Sequence, residues 1–270
     1  MAKALAFLVK PILNVVAWFL KLSRHNIYYL VDKPLRAEIQ EVSASVFAYQ
    51  HIENAVWIAK NRFHTEGSSD GSIIADVGGG TATTATIFSK NFPKHDIYVF
   101  EPIKTSFADI EKAAARNDRW QLINKAVGSS IGTTEINIAE RVTASSLLEL
   151  SQNTEGYYGE ILKTKSRETI EITTLDATLP ADKTVDILKM DVQGFELEVL
   201  KGAAATLQRT KVIVLEVNNH DGFKGAPTYF DIDDYLRQRD FELFDLLPNF
   251  REAGKLLDWD AIYVSKKLLK

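Results

Sequence analysis

The segment Ile73-Ile74-Ala75-Asp76-Val77-Gly78-Gly79-Gly80-Thr81-Ala82-Thr83 combines an apolar run, an acidic residue and a glycine turn. A second apolar run, Ile97-Tyr98-Val99-Phe100, follows and ends in Glu101-Pro102. A buried strand, a glycine turn, a helix, a second strand and an acidic residue is the layout of a nucleotide-binding βαβ unit. The segment therefore predicts an α/β domain with a nucleotide-like ligand at the end of its first strand.

Details of the glycine turn indicate which ligand it binds. Gly78 and Gly80 allow positive φ and the close approach of a ligand, and Glu101 offers a carboxylate to ribose hydroxyls. A dinucleotide site has the pattern G-x-G-x-x-G, with bare amides facing a pyrophosphate at a helix N-terminus. Here Thr83 occupies the last glycine position, and Asp76 brings a carboxylate poorly suited to lie beside phosphate. S-adenosylmethionine fits better, because it has a positive amino acid end and a ribose but no phosphate.

The composition limits the class of protein. The chain has 270 residues, of which 46% are apolar, and this is enough for one ordinary domain with a full core. The formal net charge of −4 disfavours a nucleic acid partner. The absence of cysteine excludes disulfides, thiolate metal sites and cysteine nucleophiles. We assign no metal ligands and expect a cytoplasmic protein.

The N-terminal segment 1–30 differs in character from the rest of the chain. Lys3, Lys10 and Lys21 recur at helical spacing on one narrow face, and apolar side chains cover most of the remainder. A membrane-spanning helix is disfavoured, because Lys10-Pro11 interrupts the run of about 20 apolar residues that such a helix needs. A signal peptide is disfavoured as well, because no clear small-residue cleavage site follows the apolar part. Two readings stay open: a helix packed on the domain or on a second copy of the chain, or an amphipathic helix in peripheral contact with a membrane.

The remaining sequence predicts an N-terminal helical extension over residues 1–71 and a sheet domain over 72–270. Apolar residues at steps of three and four indicate a helix within 34–63. The sheet domain is predicted to be α/β, with a Rossmann-like doubly wound, mostly parallel seven-stranded sheet and helices on both faces. The segments 133–138 and 168–175 predict an inserted hairpin. Strands are expected at 72–77, 96–101, 120–127, 185–191, 211–218, 241–247 and 260–265, and helices at 82–92, 104–117, 194–208 and 231–239.

A series of motifs follows along the chain in order: Asp76-Val77-Gly78-Gly79-Gly80, Val99-Phe100-Glu101-Pro102, Asn124-Lys125-Ala126-Val127-Gly128, Ser145-Ser146-Leu147, Thr174-Leu175-Asp176 and the long stretch Asp186-Ile187-Leu188-Lys189-Met190-Asp191-Val192-Gln193-Gly194-Phe195-Glu196-Leu197-Glu198-Val199-Leu200-Lys201-Gly202. With these motifs, at compatible spacing, the chain from about Ser72 to Lys266 resembles the FkbM family, a branch of the class I S-adenosylmethionine-dependent methyltransferases. The chain departs from the usual family pattern at three places: Gly79-Gly80 replaces Ala-Asn, Ala82 replaces Gly, and Gln193 replaces Glu.

The resemblance implies a cofactor site made of Asp76, Gly78, Gly80, Glu101 and Asn124. Asp76 is expected to help hold the amino acid end of S-adenosylmethionine, although as an isolated residue it could equally cap the following helix. Glu101 is expected to accept hydrogen bonds from the ribose. Asn124 lies where relatives place residues around the adenine, and a plain turn role is the alternative.

The catalytic candidates are Asp191, as the first choice of general base, and His220, as the second. Asp191 follows a buried strand, at the edge where open α/β sheets bind ligands, and an N-cap is its alternative role. His220 has a side chain whose ordinary pKa suits proton abstraction near neutral pH. Lys189 and Glu196 flank Asp191 and are expected to neutralise a carboxylate and to favour a helix N-terminus, respectively. No role is assigned to the other histidines, His25, His51, His64 and His95.

The predicted reaction is methylation of a hydroxyl group by in-line displacement, with a sugar, glycan or secondary metabolite as the acceptor. Substrate choice is expected in the insertion Arg141 to Arg167, where Tyr157 and Tyr158 form either a mobile lid or a plain surface loop. Two rival functions stay open at this point. One is a nicotinamide-dependent oxidoreductase with a degenerate glycine turn. The other is a catalytically silent cofactor-binding module, for which Gln193 is the hint.

Overall fold

The computed structural model describes residues 49–63, 71–115, 117–151, 162–218, 222–252 and 255–267. The chain divides into two compact units, Met1–Gln50 and His51–Lys270, and nearly all described residues belong to the second. The predicted helix at 1–30 and residues 34–48 of the predicted helix within 34–63 lie outside the described residues. The predicted division into 1–71 and 72–270 stays a prediction. Among the described helices, none has the length and apolar character needed to cross a membrane.

Seven strands form the main sheet: β1 (Ile73–Val77), β2 (Asp96–Phe100), β3 (Trp120–Ile123), β7 (Val185–Met190), β8 (Thr210–Asn218), β9 (Phe241–Glu252) and β10 (Lys255–Ser265). Their order in the sheet is β3-β2-β1-β7-β8-β10-β9. The first five in this order are mutually parallel, whereas β10 runs antiparallel to both of its neighbours, β8 and β9. The predicted α/β fold with a mostly parallel seven-stranded sheet is confirmed.

The central strands are buried on both faces because helices cover both faces. Every residue of β1 and of β7 is buried, which is typical of parallel strands in doubly wound folds. Successive side chains of β1 enter opposite layers: Ile73 and Ala75 join one apolar cluster, whereas Ile74 joins another. The described helices are α1 (Gln50–Arg62), α2 (Thr83–Asn91), α3 (Lys104–Ala114), α4 (Leu175–Thr178), α5 (Glu196–Lys201), α6 (Ala204–Leu207) and α7 (Tyr229–Arg237).

A single helix over 194–208 was the wrong expectation, because two short helices, α5 and α6, occupy this range. They separate at Gly202, where a Cβ would lie 1.9 Å from the carbonyl oxygen of Gly128. The carboxylate of Asp176 accepts hydrogen bonds from the amides of Ala205 (2.9 Å) and Thr206 (2.7 Å) at the start of α6. This contact satisfies amides that a continuous helix would have used internally.

The predicted strand 120–127 is likewise divided between two sheets. After β3 the chain turns, and β4 (Ala126–Val127) joins β5 (Gly132–Ala139) and β6 (Thr164–Thr173) in a small sheet of order β4-β6-β5. The antiparallel pair of β5 and β6 is the predicted hairpin. The turn is fixed by Asn124, whose side-chain amide donates to the carbonyl oxygens of Glu101 (2.8 Å) and Pro102 (3.2 Å).

Candidate active site

The candidate site lies where the strand order reverses between β1 and β7. These neighbours are parallel, so their carboxyl ends meet at one edge of the sheet. The amide of Asp191, directly after β7, donates to the carbonyl oxygen of Val77, the last residue of β1, at 3.1 Å. Open α/β sheets bind their ligands at such switch points. The structure therefore brings the predicted glycine turn and the predicted base side by side.

Two glycines of the turn have different tasks. Gly78 has φ +79°, and a Cβ there would lie 2.0 Å from the carbonyl oxygen of Asp191, so only glycine fits. Gly80 has φ +50°, and a Cβ there would meet nothing within 4 Å. The first glycine therefore joins the turn to the end of β7, whereas the second borders open space. Ala82, which replaces a family glycine, adopts φ +62° and is the N-cap residue of α2.

The amides of the turn are satisfied within the protein. The amides of Gly78 and Gly79 both donate to the carbonyl oxygen of Phe100 at 3.0 Å. The amide of Gly80 donates to Glu101 Oε2, also at 3.0 Å. A pyrophosphate would need such amides as donors, and it would lie beside the carboxylate that already holds one of them. This arrangement argues against a nicotinamide dinucleotide.

Glu101 combines burial with spare acceptor capacity. Its other oxygen, Oε1, accepts a hydrogen bond from the Ile103 amide at 2.9 Å, and the residue is only 5% exposed. Burial raises the pKa of Glu101, whereas the hydrogen bonds from Ile103 and Gly80 act in the opposite direction. An ionised carboxylate has about four acceptor positions, so two remain for ribose hydroxyls. Contact with the ribose stays a prediction, as does contact of Asn124 with the adenine.

Asp76 is completely buried, and the N-cap position of α2 is occupied by Ala82. The Lys189 ammonium lies 3.1 Å from Asp76 Oδ1 and donates to the carbonyl oxygen of Gly78 at 2.7 Å. Burial alone would lower the pKa of Lys189, but the charges of Asp76 and Asp191 raise it above its ordinary value. Lys189 therefore stays charged and ties the turn to the buried carboxylate. Direct contact of Asp76 with a cofactor stays a prediction.

Asp191 is linked to a second carboxyl group through Gln193. The Gln193 side-chain amide donates to Asp191 Oδ1 at 2.8 Å and to Glu216 Oε2 at 2.9 Å. The alternative role of Asp191 as a helix cap is wrong, because α5 begins after Phe195. Glu216, in β8, was not among the predicted site residues. The signal that could have found it is its place near the end of the strand beside β7, since parallel strands end at one edge of the sheet.

The loop from Asp191 to α5 is held from two sides. Ser146 Oγ donates to the carbonyl oxygen of Gln193 at 2.7 Å, and Gln193 has φ +53°. Glu196 Oε1 accepts hydrogen bonds from the amides of Val192 (3.1 Å) and Gly194 (3.2 Å). The motif serine and the buried glutamate therefore fix the backbone that carries Asp191. This is a more specific task for Glu196 than a general preference for helix starts.

A histidine–aspartate pair lies beside Asp191 and Glu216, and the sequence did not predict it. His51 Nδ1, at the start of α1, lies 3.0 Å from Asp260 Oδ2 in β10, and Asp260 is paired across the ladder with Glu216. Burial and the charge of Lys189 lower the pKa of His51 to about 4, although the charge of Asp191 opposes the shift. His51 is therefore neutral at physiological pH. His220, the histidine that the sequence predicts as a second candidate base, lies outside the described residues.

The group of acidic side chains around Glu216 has a common electrostatic effect. Burial, followed by the charges of Asp191, Asp258 and Asp260, raises the pKa of Glu216 well above its ordinary value. Its surroundings therefore favour the protonated form of Glu216. In the part of the chain that the structure describes, no three His, Asp or Glu side chains are arranged to hold a metal ion.

Comparison with known proteins agrees with this geometry. The model of the methyltransferase FkbM domain matches residues 67–243. The chain belongs to the FkbM methyltransferase family. It is therefore an S-adenosylmethionine-dependent methyltransferase, which confirms the predicted family and cofactor. Glu101, Asp191 and Glu216 lie within the FkbM match, whereas His51 and Asp260 lie outside it.

Individual relatives are distant. One is the 2-O-methyltransferase NoeI of Sinorhizobium fredii, which is 25% identical over 68% of this FkbM chain and 78% of the relative. Among solved structures, magnesium protoporphyrin IX methyltransferase from Synechocystis is 10% identical, with TM-score 0.47 and 97% of both chains covered. A precorrin-6y C5,15-methyltransferase from Geobacter metallireducens is 14% identical, with TM-score 0.43 and 80% and 87% of the two chains covered.

Proposed function

We propose that this methyltransferase transfers the methyl group to a hydroxyl of a sugar, glycan or secondary metabolite, with Asp191 as the general base. One observation carries the proposal: Asp191 is held by Gln193 at the strand-order reversal, in backbone contact with the glycine turn. The position suits an acceptor placed next to the cofactor. The distant 2-O-methyltransferase relative supports oxygen as the methylated atom.

The charge of the site favours an uncharged or cationic acceptor. The charges of Asp191, Asp258 and Asp260 act together on Glu216 at this edge of the sheet. The nearby ammonium of Lys189 is already engaged by Asp76 and Gly78. An anionic acceptor such as a nucleic acid would be repelled, in line with the net charge of −4. A neutral sugar or an amino sugar meets no such penalty.

The protein has two tasks in this reaction. S-adenosylmethionine, when bound, supplies a methyl group on a positively charged sulfur, which leaves as a neutral thioether when the acceptor oxygen displaces it. Glu101 and the turn at Gly80 are the groups that would hold the nucleoside. Asp191 takes the proton of the acceptor hydroxyl and becomes a carboxylic acid, so charge and atoms balance. Orientation is worth roughly 7–11 kcal/mol and a placed base about 10²–10⁴-fold.

The test is transfer of a labelled methyl group from S-adenosylmethionine to a panel of neutral sugars, amino sugars, acidic sugars and lipid-linked sugars. We expect labelled product from neutral or amino sugars, stable to mild base as a methyl ether is. Labelling of acidic sugars alone, or as a base-labile ester, would contradict the proposal. Cofactor binding without transfer to any acceptor would support the rival, a silent binding module. The variant His220→Asn, assayed on the same acceptor, tests the second candidate base.

A further inference from the structure

Gln193 occupies a position where the FkbM family usually has glutamate, and its side chain has a specific set of contacts. Its amide nitrogen lies 2.8 Å from Asp191 Oδ1 and 2.9 Å from Glu216 Oε2. Its backbone adopts φ +53°, and its carbonyl oxygen accepts the hydroxyl of the buried Ser146 at 2.7 Å. The residue is therefore held through its backbone carbonyl and through its side-chain amide, which lies between two carboxyl groups.

The chemistry of the amide explains what these contacts achieve. A glutamine amide nitrogen has two N–H donors, so it can give one to each carboxyl group. An ionised glutamate at this position would bring only acceptors, and three carboxyl groups would then share the site. The charged and titratable groups around it are mostly acidic already. They are Asp191, Glu196, Glu216, Asp258 and Asp260, with His51 and Lys189 as the basic neighbours.

We propose that Gln193 is a positioning residue for methyl transfer, whose amide holds Asp191 and Glu216 as one hydrogen-bonded unit and leaves Asp191 Oδ2 to take the acceptor's proton. No hydrogen bond reaches Oδ2 from the described part of the chain. The inference rests on the proposed role of Asp191. In the unit, burial and the charge of Asp191 raise the pKa of Glu216, so Glu216 holds a proton more readily than an ordinary glutamate does.

The variant Gln193→Glu tests the role of the amide. The added carboxyl group retains a proton in the cluster, so the acidic limb of the kcat/KM profile should move up by at least one pH unit. Activity at pH 7 should fall at least 10-fold and recover in part at higher pH. The dissociation constant of S-adenosylmethionine should change less than 3-fold. Gln121→Glu, at an exposed position of β3, is the matched control and should leave the profile unchanged.

The variant Gln193→Asn tests whether the length of the side chain matters as well as its amide group. Asparagine tolerates the left-handed backbone conformation and keeps both donors, but its side chain is one methylene shorter. It should therefore lose the bridge, and kcat should fall while KM changes little. Activity equal to that of the unaltered enzyme in both Gln193 variants would overturn the proposal.

A second measurement does not depend on the acceptor. Carbon-13 NMR of carboxyl-labelled protein follows the titration of Glu216, identified by its absence in Glu216→Gln. We expect its midpoint to move by at least one pH unit in Gln193→Glu and to stay in place in Gln121→Glu. An unmoved midpoint in an active enzyme would refute the role of Gln193 alone. A moved midpoint in a protein that methylates no acceptor would instead refute the proposed function.

Discussion

The Cα of Gly78 faces the carbonyl oxygen of Asp191 so closely that a Cβ on Gly78 would lie 2.0 Å from that oxygen. The cofactor turn after β1 and the proposed base after β7 are therefore in direct backbone contact. Any side chain between them would push the two strand ends apart. The distance between the glycine turn and the proposed base is thus set by Gly78.

This contact predicts that substitutions at two glycines of one turn lower the free energy of unfolding by very different amounts. Gly78→Ala should lower the free energy of unfolding by about 3 kcal/mol or more, because backbone atoms must move at a residue with positive φ. Gly80→Asn should cost less than about 1 kcal/mol, since the space there is open and asparagine tolerates φ +50°. Urea denaturation of both variants measures the difference. Equal losses would show that the contact with Asp191 does not determine the requirement for glycine.

The hydrogen bonds and the charge of Glu101 predict that this residue contributes to the affinity for S-adenosylmethionine. Glu101→Gln replaces an oxygen acceptor by an amide nitrogen, so the hydrogen bond from either Gly80 or Ile103 is lost together with the negative charge. Hydrogen bonds to charged groups contribute about 1.5–3 kcal/mol. The dissociation constant of S-adenosylmethionine should therefore rise about 10–100-fold in calorimetric titration. Glu135→Gln, at an exposed position of β5, should leave it unchanged, and equal affinities of all three proteins would contradict the role of Glu101.

Glu196 predicts part of the dependence of stability on pH. Burial raises its pKa from 4.5 to about 7, against the hydrogen bonds that its carboxylate accepts. The folded state thus holds this proton more tightly than the unfolded state. Its contribution to stability is complete below pH 4.5 and is lost as the pH rises through about 7.

The variant Glu196→Gln isolates this effect. Its unfolding free energy should lack that loss, so the difference between the two proteins should change by about 3 kcal/mol between pH 4 and pH 8. Urea denaturation at several pH values measures it. Parallel curves would mean that Glu196 does not titrate with a raised pKa.

Asp186 lies near the N-terminal end of β7, whereas Asp191 follows the C-terminal end of the same strand. It is fully buried, with His95 Nε2 2.8 Å from Oδ2 and Lys211 Nζ 2.7 Å from Oδ1. Asp186→Asn leaves the partly buried Lys211 charge without its partner and should lower the unfolding free energy by about 3 kcal/mol. The turnover number of the folded protein should stay the same. A loss of turnover without a loss of stability would place Asp186 in the site.

The sequence was sufficient to predict the central βαβ unit, because an apolar strand, a glycine turn and a terminal acid are local features. The predicted residues Asp76, Gly78, Glu101 and Asp191 come together because parallel strands end at one edge. The pair of His51 and Asp260 could not be predicted in this way. These two residues become neighbours of Asp191 and Glu216 only through the order of β7, β8 and β10 and the packing of α1.

The same limit applies to local structure. The break at Gly202 depends on the backbone of Gly128, which is far away in the chain. The helical spacing of residues 194–208 therefore predicts one continuous helix and does not indicate the contact with Gly128. Likewise, the departure from the family pattern at Gln193 was visible in the sequence, but its two carboxyl partners were not.

The central claim is that Asp191 removes the acceptor's proton at a site where S-adenosylmethionine binds independently of it. The most direct measurement compares turnover and cofactor affinity in Asp191→Asn, with Asp186→Asn as the control from the same strand. We expect turnover to fall about 10²–10⁴-fold in Asp191→Asn, with the dissociation constant of S-adenosylmethionine unchanged within about 3-fold. Full turnover in Asp191→Asn, with labelled methyl ether still formed, would contradict the account.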